Sequence, residues 1–391
     1  MIKEPGQHTP YFFLSYARSD PLAGDLQENP DHLVERFFTD LTNAVRSRAH
    51  GAKGAVSGFF DQKIPLGSDL KLFITQALSA SQVFVPLYSV GYLTNSWPGR
   101  EFAYFLRRVE QAGRANPVRR LVPVLWAPLA GVEDPPGLSE ALASAGAEPD
   151  YAENGLRALL KLSSYHDQYR AVVNQLAEQI VNLAESDPID PVEPSQVPDI
   201  EQVGSEFSPD APLAVFDIET AAPVGWTPFT GEEVPLAEHA RQVAEQFGFD
   251  ARVSPVRVAG EADGRNPGII IIDPAFVGDK TGRATLGLVA RELPRWVMPV
   301  LVLSEPGDPR TQELAATARA ILNAPELPAD SARRGARGVE SLDEFVAIVP
   351  VLVAEAERQY LRYRTSRVPP PRSPGRPRLG RREGPDESVI D

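Results

Sequence analysis

Tyr11-Phe12-Phe13-Leu14-Ser15-Tyr16, followed by an apolar stripe at Leu33, Phe37, Leu41 and Val45, decides the fold class of this chain. The first run is short, continuously apolar and aromatic-rich, which reads as a buried strand. The second repeats at helical spacing and puts its apolar side chains on one face. Working outward, the pair recurs. Gly58-Phe59-Phe60 precedes a helical pattern from about Asp69 to Leu78, and Val83-Phe84-Val85-Pro86-Leu87 precedes one near Glu101 to Val109. Leu121-Val122-Pro123-Val124-Leu125 is a further strand, and Val172, Val173, Leu176, Ile180 and Leu183 stripe a last helix from roughly Asp167 to Leu183. Repeated β-α units predict a parallel sheet covered on both faces. Residues 127–160 carry no assignable pattern.

The same rhythm resumes in the second half. Leu213-Ala214-Val215-Phe216, a helix Leu236 to Phe247, Val253 to Val258, Ile269-Ile270-Ile271-Ile272, Trp296 to Leu303 and a helix around Phe345 to Leu361 predict a second, similarly wound α/β domain. Asp187 to Pro212 holds seven acids, six prolines and no lysine or arginine, a composition expected to stay extended and pack no core. Beyond Leu361, eight arginines and no acid up to Arg382, with five prolines among them, predict a disordered tail. The expected organisation is a first domain over 1–186, an acidic Pro-rich linker over 187–211, a second α/β domain over 212–366 and an Arg/Pro-rich tail over 367–391.

Composition excludes several chemistries. A chain of 391 residues is long enough for two domains that each bury a core. It has no cysteine, so disulfides, thiolate metal sites and cysteine nucleophiles are excluded, and its five histidines form no ligand-spaced pair. A net charge of −14 opposes bulk attraction to nucleic acid or anionic lipid. No apolar run approaches the ~20 residues needed to cross a bilayer, so a soluble cytoplasmic protein is expected. A phosphate-cradling Gly-x-x-x-x-Gly-Lys sequence, a Gly-x-Ser-x-Gly elbow and a His-Glu-x-x-His pair are all missing, which disfavours nucleotide triphosphatase, serine hydrolase and zinc protease readings.

In an open parallel sheet, ligands bind beyond the carboxyl ends of the strands, where the winding direction switches. Here those loops read Ser15-Tyr16-Ala17-Arg18-Ser19-Asp20 after the first strand and Asp61-Gln62-Lys63-Ile64-Pro65-Leu66-Gly67-Ser68 after the second. The third strand leads into Tyr88-Ser89 and then Ser96-Trp97-Pro98-Gly99-Arg100-Glu101. Ser-Tyr followed by an acid, an Asp with a Pro-x-Gly loop, Tyr-Ser and Ser-Trp-x-x-x-Glu, in that order, resemble the TIR domain over residues 10–184. The resemblance implies a flavodoxin-like, doubly wound sheet of order 2-1-3-4-5. The TIR-like unit, acidic linker and second, degenerate TIR-like unit together also resemble actinobacterial TIR-like proteins encoded beside maturation genes for FxSxx-COOH peptides.

Many TIR domains of this kind hydrolyse NAD+ with the glutamate of Ser-Trp-x-x-x-Glu, which falls on Glu101. The resemblance implies NAD+ as a substrate, not a bound cofactor, and no metal. It implies a substrate site formed by Ser15, Tyr16, Arg18, Asp61 and Trp97, and a self-association or partner surface at Lys63, Pro65 and Gly67 that would meet further TIR or regulatory proteins. Pro98 and Gly99 depart from the family, which often has Cys after the motif Trp, and are expected to lengthen the loop before the helix.

Each residue also has a plainer reading. Glu101 suits the first turn of a helix, where the macrodipole favours an acid. Trp97 suits a core, Arg18 a surface charge, and Asp61 the capping of a loop by accepting backbone hydrogens. Two function classes therefore stay open: an NAD+ glycohydrolase switched on by assembly, and a non-catalytic scaffold in signalling or peptide maturation. Nucleic-acid binding rests only on the arginine tail and is opposed by the net charge.

Overall fold

The computed structural model describes residues 9–18, 31–50, 58–61, 69–207 apart from 115, 130–134, 140–141, 143–148 and 201, then 214–257 apart from 224 and 231–233, and 266–367 apart from 328. The expected partner loop at Lys63, Pro65 and Gly67 and the tail beyond residue 367 lie outside them.

In the first unit, β1 (Phe12–Ser15), β2 (Gly58–Phe59), β3 (Val83–Tyr88) and β4 (Val124–Leu125) form an all-parallel sheet of order β2-β1-β3-β4. β1 therefore lies centrally, with Ser15 in register with Pro86. Every residue of β3 is buried, as expected of a parallel strand covered on both faces. The helices are α1 (His32–Arg48), α2 (Leu70–Ala80), α3 (Val90–Thr94), α4 (Ser96–Gln111), α5 (Pro149–Asn154), α6 (Leu156–Lys161) and α7 (His166–Ser186), with α1 packed on α7 and α2 on α4. The strand order matches the expected 2-1-3-4, but among the described residues no fifth strand follows. The chain runs from β4 toward α5 and α6 instead.

The second unit repeats the winding with β5 (Val215–Ala221), β6 (Asp250–Pro255), β7 (Gly268–Ile272) and β8 (Val297–Leu301), again all parallel and in the order β6-β5-β7-β8. Its helices are α8 (Leu236–Gln246), α9 (Lys280–Arg291), α10 (Pro309–Ile321), α11 (Asp330–Arg337) and α12 (Leu342–Arg367). A lone parallel bridge between Val302 and Val339 stands where a fifth strand would pair.

The acidic stretch between the units departs from expectation. Ile189, Val197, Ile200 and Val203 are buried in the first unit's core despite the surrounding prolines and acids. The reason is a set of main-chain anchors. Gln82 exchanges two 2.7 Å hydrogen bonds with the Ile189 backbone. Val192 N donates to Ser79 O, and the wholly buried Arg108 donates to the carbonyls of Ser79, Ser81 and Asp190. Composition forbids this stretch a core of its own, but not the filling of a neighbour's.

Candidate functional site

The carboxyl ends of β1 and β3 deliver the site. β1 ends on Ser15, and β3 leads into Ser89, whose side chain caps α3 by accepting from Tyr92 N at 3.1 Å. Asn95 then caps α4, its Oδ1 accepting from Trp97 N at 2.9 Å. Pro98 sits inside the first turn of α4, where its missing N–H has no helical partner to lose, so Pro98 and Gly99 do not lengthen the preceding loop. With the helix starting at Ser96, Trp97 and Glu101 fall one turn apart on the same face.

Glu101 is the centre of this arrangement and is 5% exposed. Ser15 Oγ donates to its Oε2 at 2.5 Å, and Trp97 Nε1–H donates to its Oε1 at 2.9 Å. Behind Ser15, the Tyr92 hydroxyl stands 3.0 Å from Ser15 Oγ. Arg18 donates to Asp61 Oδ2 at 3.2 Å, and Phe13, Leu14, Tyr16 and Gln246 complete the wall. The five residues expected at a substrate site, Ser15, Tyr16, Arg18, Asp61 and Trp97, thus surround or border Glu101. Arg18 is engaged by Asp61 and not held out to solvent, and the Trp97 ring is buried, with its N–H committed to Glu101.

Electrostatics follow from the enclosure. Burial raises the Glu101 pKa to about 8, against the hydrogen bonds from Ser15 and Trp97 and the Arg18 charge, while Asp61 adds to the rise. Burial likewise lifts the Tyr92 phenol well above its usual range. For Arg18, burial opposes the charge, but Asp61, with Tyr16 and Asp31, more than offsets it and keeps the pKa above the ordinary value. Enclosure thus shifts Glu101 toward its protonated form.

The space left beside Glu101 is only about 10 Å3, room for one water. Most of its wall comes from the first unit, and the rest of the chain meets it at one point. α8 of the second unit contributes Gln246, and residues 205–207 run along α4, with the Phe207 ring 4.9 Å from Phe102 and 5.8 Å from Tyr92. No protein-family model matches this chain, and no curated protein is significantly similar to it. Among the described residues no group of three His, Asp or Glu side chains is placed to hold a metal ion, and no helix is long and apolar enough to cross a membrane.

Tyr92, Asn95, Phe207 and Gln246 were not legible as site residues. Asn95 carries a weak signal as an Asn just before Ser-Trp. Gln246 looks like any polar residue on an amphipathic helix. Among the described residues, the equivalent edge of the second sheet has no counterpart of the Glu101 cluster. It opens a cavity of about 380 Å3, walled mostly by apolar groups such as Trp226, Pro235, Leu236, Val253 and Ile271.

Proposed function

We propose that the first unit is a TIR-type signalling domain in which Glu101 hydrolyses the nicotinamide–ribose bond of NAD+ when the site is open. The observation that carries this reading is the position of Glu101. It is a carboxyl at the β1/β3 carboxyl edge, gripped by Ser15 from one strand and by Trp97 from its own helix. In hydrolysis the C1′–N bond breaks with its electron pair leaving on the nicotinamide ring, positive charge builds on the ribose, and water adds to C1′ and releases a proton. A fixed carboxylate beside that ring stabilises the developing charge or holds the ribose hydroxyls. Arg18, once released from Asp61, supplies a cation for the pyrophosphate.

The charge on Glu101 links chemistry to opening. Enclosed, its pKa is raised and its anionic form is disfavoured. Hydration removes the desolvation that raises its pKa and returns it to the carboxylate form. The test is nicotinamide release from NAD+ by the full chain at high concentration with a crowding agent, beside Glu101→Gln. Release that disappears in the variant supports the enzyme, and equal release from both removes Glu101 from the mechanism.

A second reading, a non-catalytic scaffold that works through self-association or other signalling partners, is favoured by the closure itself. A site with room for one water serves no dinucleotide. The resemblance to proteins of peptide-maturation systems belongs to this reading.

A further inference from the structure

Several observations converge on the seam between the units. Among the described residues, the second unit's contribution to the wall of the Glu101 cleft is Gln246, one of a buried polar row on α8 with Gln242 and Glu245. The row meets the first unit through polar contacts, the shortest of them from Asn95 Nδ2 to the Gln246 carbonyl at 2.9 Å. Leu70 N donates to Gln242 Oε1 at 3.2 Å, Gln242 Nε2 donates to Asp69 Oδ1 at 3.2 Å, and Gln246 Nε2 reaches Asp61 Oδ2 at 3.5 Å. Residues 205–207 form a strap along α4. Glu206 N donates to Gly99 O at 3.4 Å, and Phe207 lies against Tyr88, Tyr92 and Phe102.

This seam is also where hydrogen-bonding capacity is left unused. Arg18 Nε, Asp61 Oδ1, Ser205 Oγ, Gln246 Oε1 and both ring nitrogens of His239 are buried and make no hydrogen bond. A permanent interior satisfies such groups, because an unpaired buried polar atom costs free energy that water restores on exposure. Interfaces between domains that are polar and poorly saturated are the ones that separate. The first unit's core, by contrast, is continuous without α8.

We infer that the second unit, through α8, is a removable cover over the Glu101 cleft, tethered by the inter-unit strap 205–207 along α4, and that the arrangement in this structure is its closed, resting form. The inference rests on the reading of Glu101 as the centre of the NAD+ site. It supplies the regulation of that site: substrate enters only when α8 lifts, and the same movement hydrates Glu101.

The test uses the full chain with Gln242→Glu and Phe207→Ala together. The first sets a carboxylate against Asp69, the second removes the ring that holds the strap, and neither side chain touches Glu101. Amide hydrogen exchange over residues 96–101 is expected to accelerate at least tenfold, with exchange in α7 unchanged, and nicotinamide release to rise at least tenfold. If the double variant does not fold, Phe207→Ala alone makes the same comparison with a smaller expected rise. Unchanged exchange at 96–101, or acceleration shared equally by α7, overturns the cover. Acceleration confined to 96–101 without any nicotinamide release leaves the cover standing and sinks the glycohydrolase reading, so the two fail separately.

Discussion

The side-chain amide of Asn95 donates to the carbonyl oxygen of Gln246 at 2.9 Å. The residue that caps the Glu101 helix is thus also the residue on which the last turn of α8 docks. Two helix ends of opposite polarity meet there, the positive start of α4 and the negative end of α8. Gly248 allows the approach, with φ +89 and no side chain where a Cβ would stand 3.0 Å from Asn95 Oδ1.

Asn95→Ala and Asn95→Asp separate the two duties. Alanine loses the cap and the inter-unit hydrogen bond, and is expected to cost about 1–2 kcal/mol in thermal or denaturant unfolding. Aspartate keeps an acceptor for Trp97 N and suits the start of a helix, but it faces the Gln246 carbonyl without a donor. It is expected to leave the first unit's stability within about 0.5 kcal/mol while accelerating hydrogen exchange on both sides of the seam. Equal loss of stability in both variants would show that capping is not what Asn95 contributes.

Gly99→Ala tests the close approach of the strap. A Cβ there would stand 2.0 Å from Ser205 Oγ and 3.1 Å from Ser205 Cβ. Overpacking of this kind costs about 1–3 kcal/mol, while replacing a helical glycine by alanine gains about 1 kcal/mol, so a net loss is expected in denaturant unfolding. Ser205→Gly removes the obstructing atoms, and the double variant should recover or exceed the parent's stability. Failure of that rescue would mean the strap does not lie against Gly99.

Arg108→Ala probes the anchoring of the inter-unit stretch. Burial lowers the Arg108 pKa to about 10, with the Arg120 charge adding to the effect, so the side chain remains charged at neutral pH. Its removal strands three carbonyls, those of Ser79, Ser81 and Asp190, and a loss of about 3 kcal/mol or more is expected at about 1–3 kcal/mol for each buried group. Proteolysis between residues 187 and 200 should accelerate alongside. A stable variant with unchanged cleavage would show that Arg108 is not the anchor.

How far these features could be read from sequence depends on how local their causes are. β1 and β3 were legible within a residue or two, because short apolar runs between polar residues have few other uses. The Trp97–Glu101 pairing was legible because a four-residue spacing at a helix start fixes one face. Ser15 reaching the same carboxyl followed from topology, which sets the ends of β1 and β3 side by side. Pro98 and Gly99 misled, since both suggest a loop, yet proline is tolerated in a first helical turn and Gly99 serves a contact more than a hundred residues away in sequence. Ile189, Val197, Ile200 and Val203 were hidden by the acids and prolines around them, whose average predicts solvation even though single apolar side chains can still be buried. Gln242 and Gln246 carry no local signal, because a polar helix face looks the same whether it meets water or another unit.

Proton binding at Glu101 gives a pH dependence of definite sign. Its pKa stands at about 8 in the closed fold and at 4.5 ordinarily, so between those values the fold binds a proton that the unfolded chain has released. That contribution is fully present below 4.5 and is lost as pH rises through 8. Among the described residues, the groups facing Glu101 are Ser15, Trp97 and Tyr92 beside it, Tyr16, Arg18 and Asp61 around the cleft and Gln246 from α8. Arg18 and Tyr92 are both held above their ordinary values and keep their protons, while Asp61 is common to parent and variant. His239, lowered to about 4 by burial and by the Arg18 charge, acts in the opposite direction, but only below its ordinary 6.5. The clean window therefore lies above that value. Between pH 6.5 and 9 the parent is expected to lose about 1–2 kcal/mol of unfolding free energy relative to Glu101→Gln, which cannot titrate. Parallel stability curves for the two chains across that window would place Glu101 in contact with water and overturn the closed geometry.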